Sequence, residues 1–91
     1  MHGQPRFKIG RLFATPSAVH DVPEIELLDA VARHASGDWG DVADDDRKAN
    51  DAALRDGDRI LSVYRTVAGT TFWIITEADR STTTVLLPDE Y

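Results

Sequence analysis

The sequence predicts an α+β fold in the order β-α-α-β-β-β, with two helices packed on a four-stranded, mainly antiparallel sheet. Three observations point there. Residues 59–88 hold three strand-length runs rich in Thr, Val, Ile, Tyr, Phe and Trp. The middle of the chain holds two stretches with apolar or small residues at helical spacing, each followed by glycine. The breaks between the three C-terminal runs are short enough for hairpins, and helices laid on one face of such a sheet are the natural closure.

Residues 6–14 read as the first strand. Phe7, Ile9 and Phe13 share one alternation with Arg11 between them, Lys8 and Leu12 share the other, and Gly10 suggests a bulge or an edge. Thr15-Pro16-Ser17 stops this strand, with Thr15 as cap and Pro16 at the first position of a short helical turn. The first long helix is expected near Asp21, because Asp21-x-x-Glu24 resembles a capping box and Pro23 is tolerated in a first turn. Ile25, Leu28, Ala32 and Ala35 form its stripe, widened by Leu27 and Val31, and Gly37 is the expected end.

Asp38-Trp39-Gly40 is a turn carrying a large aromatic. A second helix is expected over 42–56, capped by Asp41, with Asp44, Asp45 and Asp46 at the positive end of its dipole. Its apolar face is thin (Ala49, Ala52 and Ala53, with Leu54 alongside), so partial exposure is expected, and Gly57 ends it. Strands are expected over 60–66, 71–77 and 82–87. The middle one carries apolar bulk on both faces: Phe72 and Ile74 point one way, Trp73 and Ile75 the other. That argues for an interior position in the sheet, while the edge joined by the N-terminal strand is open.

A chain of 91 residues, 42% hydrophobic and 29% charged, fits one globular domain, 1–91, with residues 1–5 and therefore His2 in a frayed end. With no cysteine there is neither a disulfide framework nor a thiolate metal site. No long apolar run would span a membrane, and Met1-His2-Gly3-Gln4-Pro5 has no apolar stretch of a secretory leader, so a cytoplasmic location is expected.

The net charge of -6 is unevenly placed. Residues 1–20 carry Arg6, Lys8 and Arg11 and no acid, whereas Asp38, Asp41, Asp44, Asp45, Asp46, Asp51, Asp56 and Asp58 crowd the middle. Direct nucleic-acid binding is therefore not expected, and a protein partner with a basic surface is. The same charge also serves solubility.

No P-loop, G-x-G-x-x-G, H-E-x-x-H or G-x-S-x-G motif is present, and the acidic run does not match a calcium loop. Neither a cofactor nor a metal is expected. His34 and Asp38, four apart at a helix end, read either as an acid–base pair or weak metal site, or as a histidine complementing the helix dipole. Trp39 between glycines reads either as an exposed hot spot or as a buried pin for the turn. Glu77-Ala78-Asp79-Arg80-Ser81 concentrates charge at a tight turn, where the side chains either bind a substrate or pair with one another. The candidate binding residues are thus Trp39, Asp41, Asp44, Asp45, Asp46, Glu77, Asp79 and Arg80.

Leu12-Phe13-Ala14-Thr15-Pro16, Gly37-Asp38-Trp39-Gly40-Asp41-Val42, the stretch from Phe72 to Ser81 and the tail Thr84-Val85-Leu86-Leu87-Pro88-Asp89-Glu90-Tyr91 resemble a family of small bacterial proteins labelled plasmid-related or mobile-element. The resemblance covers most of the chain and implies a genomic setting without an activity. The element order is also similar to the RelE and ParE toxin superfamily. That resemblance implies a ribonuclease site at His34, Arg65, Arg80 and Tyr91, but such ribonucleases are basic and this chain is acidic. The first expectation is a non-catalytic accessory protein that binds another protein, such as an inhibitor of restriction or CRISPR machinery. The alternatives are a toxin-like ribonuclease and a homodimer using an open sheet edge.

Overall fold

The structure, a computed structural model, describes residues 3–91, so the expectation for His2 falls outside it. The elements are β1 (Arg11–Ala14), α1 (Pro16–Asp21), α2 (Glu24–Ala35), α3 (Asp44–Asp56), β2 (Ile60–Arg65), β3 (Thr71–Thr76), β4 (Thr82–Leu86) and a closing 3-10 turn, Pro88–Glu90. They build an α+β fold on one four-stranded sheet of order β1-β4-β3-β2. The β2–β3 and β3–β4 pairs are the antiparallel hairpins expected, and β3 is interior.

Five expectations are corrected. The sheet is mixed rather than mainly antiparallel, because β1 lies parallel to β4, with Arg11 beside Thr82 and Ala14 beside Val85. Its strand begins at Arg11, not at residue 6. Upstream, Arg6 N–H bonds the Ala35 carbonyl at 2.8 Å, and Gly10 turns with φ 64 against Ser81, whose oxygen a Cβ would approach to 2.2 Å. Gly10 is therefore a close backbone approach rather than a bulge. The Asp21 capping box is absent: Asp21 is the last residue of α1. Val22 is extended (φ -111, ψ 116), as a residue before proline must be, and α2 starts after Pro23 with no side-chain cap. Finally, α3 starts at Asp44 after Ala43, because Asp41 N–H is bonded to the Val63 carbonyl at 2.8 Å and Val42 is buried.

Thr15 caps α1 as expected, accepting from Ala18 N–H, with Pro16 in the first turn. α1 and α2 cover one face of the sheet, here the inner face. Val22, Leu27, Val31, Tyr64, Phe72 and Ile74 are among the buried residues of that core. A second cluster joins Trp39, Val42 and Ala53 to Ile60 where α3 meets β2. The opposite, outer face carries Trp73, on which the Tyr91 ring packs at 5.3 Å, with the Arg59 guanidinium 5.1 Å from the Tyr91 ring.

The two sheet edges differ. Along β2, the Asn50 side chain donates to the Leu61 carbonyl at 2.8 Å and accepts from Leu61 N–H at 3.2 Å. Next to it, Val63 bridges the strand-like segment at Gly40, donating to the Trp39 carbonyl and accepting from Asp41 N–H. The outer edge of β1 has no such cover among the described residues.

Candidate functional site

Four of the buried polar residues, His34, Ser62, Thr76 and Thr83, form one hydrogen-bonded chain. His34, on α2, reaches between the strands with Nδ1 2.6 Å from Ser62 Oγ and Nε2 2.8 Å from Thr76 Oγ1. Thr76 Oγ1 lies 2.7 Å from Thr83 Oγ1, and Thr83 donates to the Ile9 carbonyl at 2.7 Å. The direction of every bond follows from its last member. A carbonyl can only accept, so the Thr83 hydrogen goes to Ile9, the Thr76 hydrogen goes to Thr83, and His34 Nε2 must be the donor to Thr76. His34 is thus the neutral Nε2–H tautomer and Nδ1 accepts from Ser62. Burial, aided by the charge of Arg80, pushes the His34 pKa down to about 4.

This serine and histidine have the contact of a nucleophile–base pair, but all four side chains have zero solvent exposure. The chain satisfies itself, and no buried side-chain polar atom among the described residues is left without a partner. It is a polar core closed to solvent. Strand alternation puts Thr76 on the same face as Phe72 and Ile74; the burial of Ser62 and Thr83 and the pairing with His34 come from tertiary placement.

Arg80 is turned inward as well. At φ 61 it is the one described non-glycine residue with positive φ. Its guanidinium donates to the carbonyls of Asp58 at 2.7 Å, Ala53 at 3.0 Å, Glu77 at 3.1 Å and Ala78 at 3.3 Å, and lies 5.6 Å from the Phe7 ring. It clasps the C-terminal end of α3 to the β3–β4 turn. Asp79, in that turn, accepts from both the hydroxyl and the N–H of Ser81, which holds its carboxyl below the ordinary range.

The candidate residues therefore separate. Trp39 is buried, stacked near Phe7 and His34, with its indole N–H donated to Asp51 at 2.9 Å. Asp41, Asp44, Asp45 and Asp46 are exposed at the start of α3. Glu77 and Asp79 are exposed beside the far end of that helix, whose 13 residues put about 18 Å between the ends. The ribonuclease set does not converge either. His34 lies under the inner face, Tyr91 packs on the outer face, Arg65 is exposed at the end of β2 and Arg80 is held by four carbonyls.

Comparison with family models, with curated proteins and with solved structures finds no match for this chain. No helix among the described residues is long and apolar enough to cross a membrane, and no cluster of three or more His, Asp or Glu there could hold a metal ion.

One further polar feature borders α2. A groove of about 210 Å³ between α2 and β2 is lined in part by Glu26, Asp29, Arg33 and Arg65. Its central cation is engaged: Arg33 donates to Asp38 at 2.7 and 3.2 Å and lies 4.8 Å from the Tyr64 ring. Tyr64 donates its hydroxyl to the Asp38 carbonyl at 2.6 Å, and burial pushes its pKa upward. Asp38 is thereby tied to Arg33 and Tyr64 rather than to His34, which bonds Ser62 and Thr76. What stays presented to solvent is the acidic rim of α3: Asp41, Asp44, Asp45, Asp46, Asp56 and Asp58 are all exposed, with Arg47 paired to Asp44 at 3.0 Å.

Proposed function

We propose that this chain is a non-catalytic binding protein whose acidic α3 side receives a partner with a basic surface. The observation that carries the reading is a division of labour among the charged and polar groups. His34, Ser62 and Arg80, the groups suited to chemistry, are used up in internal bonds, while the carboxylates of the α3 rim remain in solvent. Residues 38–58 contain eight aspartates and three cations, Arg47, Lys48 and Arg55, so this stretch holds most of the net charge of -6. Such a field steers a cationic surface inward and repels nucleic acid.

The resemblance to mobile-element proteins extends the reading to an inhibitor of host defence. In that role the rim occupies a lysine- and arginine-lined site that otherwise holds nucleic acid. The test is affinity capture from a bacterial host lysate with the wild type and with the triple variant D44N/D45N/D46N. The expected result is a partner retained by the wild type, released by salt and lost with the triple variant. Recovery of no partner, or of one held equally by both proteins at high salt, removes the reading.

A further inference from the structure

The two edges of the sheet are treated differently, and the contrast marks an interface. On β2 the Leu61 and Val63 backbone groups are bonded by Asn50 and by residues 39 and 41. At the two ends of β1, Arg11 N–H donates to the Ser81 carbonyl just before β4 at 2.9 Å and Thr15 N–H, just after β1, donates to the Val85 carbonyl at 3.0 Å. By alternation the N–H and C=O groups of Leu12 and Ala14 point away from the sheet. None of them has a bonding partner among the described residues.

The side chains there are apolar as well. Leu12 is 40% and Phe13 44% exposed on β1, while Val19 on α1 and Leu28 on α2 are 62% and 53% exposed. Ala14, Val19, Leu27 and Leu28 line a groove of about 510 Å³ beside the strand. An open strand edge flanked by exposed apolar side chains is a pairing site, and Leu12 and Ala14, whose backbone groups face outward, carry no charge.

We propose that the occupant is a second copy of this chain, joined edge to edge through an antiparallel β1–β1 pair that makes one continuous eight-stranded sheet. The surface is self-complementary about a two-fold axis, as an isologous contact must be. The register that uses all the outward groups within the strand sets Leu12 opposite Ala14 of the second copy and Phe13 opposite Phe13. Each copy then forms two N–H···O bonds, and Leu12 lies over the second copy's groove beside its Ala14, Val19 and Leu28.

Charge supports the same register. It sets Arg11 opposite Thr15 of the second copy, and Thr15 donates to Glu90 at 2.7 Å. Backbone and hydroxyl donors hold the Glu90 carboxyl ionised, below its ordinary range. Two Arg11–Glu90 pairs therefore flank the Phe13 pair, on which the Arg11 guanidinium already stacks at 5.3 Å within its own chain. The acidic α3 borders β2, the opposite edge, so this contact is independent of the partner surface proposed above.

The experiment is sedimentation equilibrium of the purified chain from about 5 to about 500 µM, read with amide exchange at Leu12 and Ala14. A monomer–dimer equilibrium with a dissociation constant on the order of 10–100 µM is expected, as suits a small interface. The Leu12 and Ala14 amides should become protected as concentration rises, since they gain bonds only in the pair. L12P removes an outward N–H without touching the bonds to β4, and F13E sets two carboxylates against each other; each should weaken the dimer at least about tenfold with the circular dichroism spectrum unchanged. A wild type that is monomeric throughout the range overturns the proposal. So does a dimer that F13E leaves intact, or one whose Leu12 and Ala14 amides exchange at the monomer rate.

Discussion

The Nε2 of His34 donates to the hydroxyl of Thr76 at 2.8 Å, and this one bond fixes the protonation of the core. A second proton on the ring would sit on Nδ1 and face Ser62 Oγ, 2.6 Å away, whose own hydrogen already points at that nitrogen. Charging His34 thus requires reversing the Ser62 hydroxyl as well as burying a cation near Arg80.

The first prediction is a pH dependence. His34 titrates near 4 in the folded chain against an ordinary 6.5. Between those values the unfolded chain binds a proton that the folded chain refuses. Stability is therefore full above pH 6.5, falls as pH drops toward 4, and gains no further loss from His34 below that, a decline of roughly 3 kcal/mol in all. Urea unfolding at pH 7, 5.5 and 4.5 measures the decline, and nitrogen NMR of the His34 ring reports the Nε2–H tautomer. A His34 titration near 6.5 contradicts the burial argument.

Thr83→Val removes the donor that ends the polar chain. The Ile9 carbonyl loses its donor and the Thr76 hydroxyl hydrogen loses its acceptor together, which should cost about 1–3 kcal/mol in urea unfolding. Thr84→Val, at the half-buried neighbour on the other face, should fall within about 0.5 kcal/mol of wild type. Equal effects would mean that the chain contributes nothing specific.

Gly40 and Gly69 separate contact from conformation. Both have positive φ, 74 and 97, so alanine at either carries a left-handed backbone cost of about 1–2 kcal/mol. Only at Gly40 would the new Cβ meet backbone, coming to 1.9 Å from the Val63 oxygen; at Gly69 it meets nothing within 4 Å. Gly40→Ala should therefore be more destabilising than Gly69→Ala by at least about 1.5 kcal/mol in thermal or urea unfolding. Similar values would place the Gly40–Val63 bridge outside the folded core.

Arg80→Gln tests the clasp. Gln cannot serve carbonyls on both α3 and the β3–β4 turn, so stability should fall by about 1–3 kcal/mol. The same change removes a positive charge near His34, so the His34 pKa should rise from about 4. An unchanged His34 titration would show that burial alone holds the ring neutral.

Much of this was legible in residue order, and the misses have physical causes. The β2–β3–β4 hairpins announce themselves because β-branched and aromatic runs meet short turns, and the Thr15–Pro16 cap is a local signal. The parallel seating of β1 is not local. It pairs Arg11 with Thr82 across most of the chain, with no turn between them to set direction. Pro23 misled because its effect on Val22 separates two helices where a capping motif suggests a start. Arg80 read as a turn residue that binds a substrate or pairs with its neighbours; only tertiary placement reveals four carbonyls around it.

The Asn50 side chain has a consequence beyond α3. It satisfies both backbone groups of Leu61, so Asn50→Asp, which keeps the acceptor and loses the donor, should cost about 1–3 kcal/mol and expose the β2 edge. With that edge sealed in the native chain, strand addition has one side to proceed from. Sheet growth stops after a single joining event, and the chain is built to terminate rather than to polymerise: one guarded border makes it resistant to fibre formation whatever approaches the other.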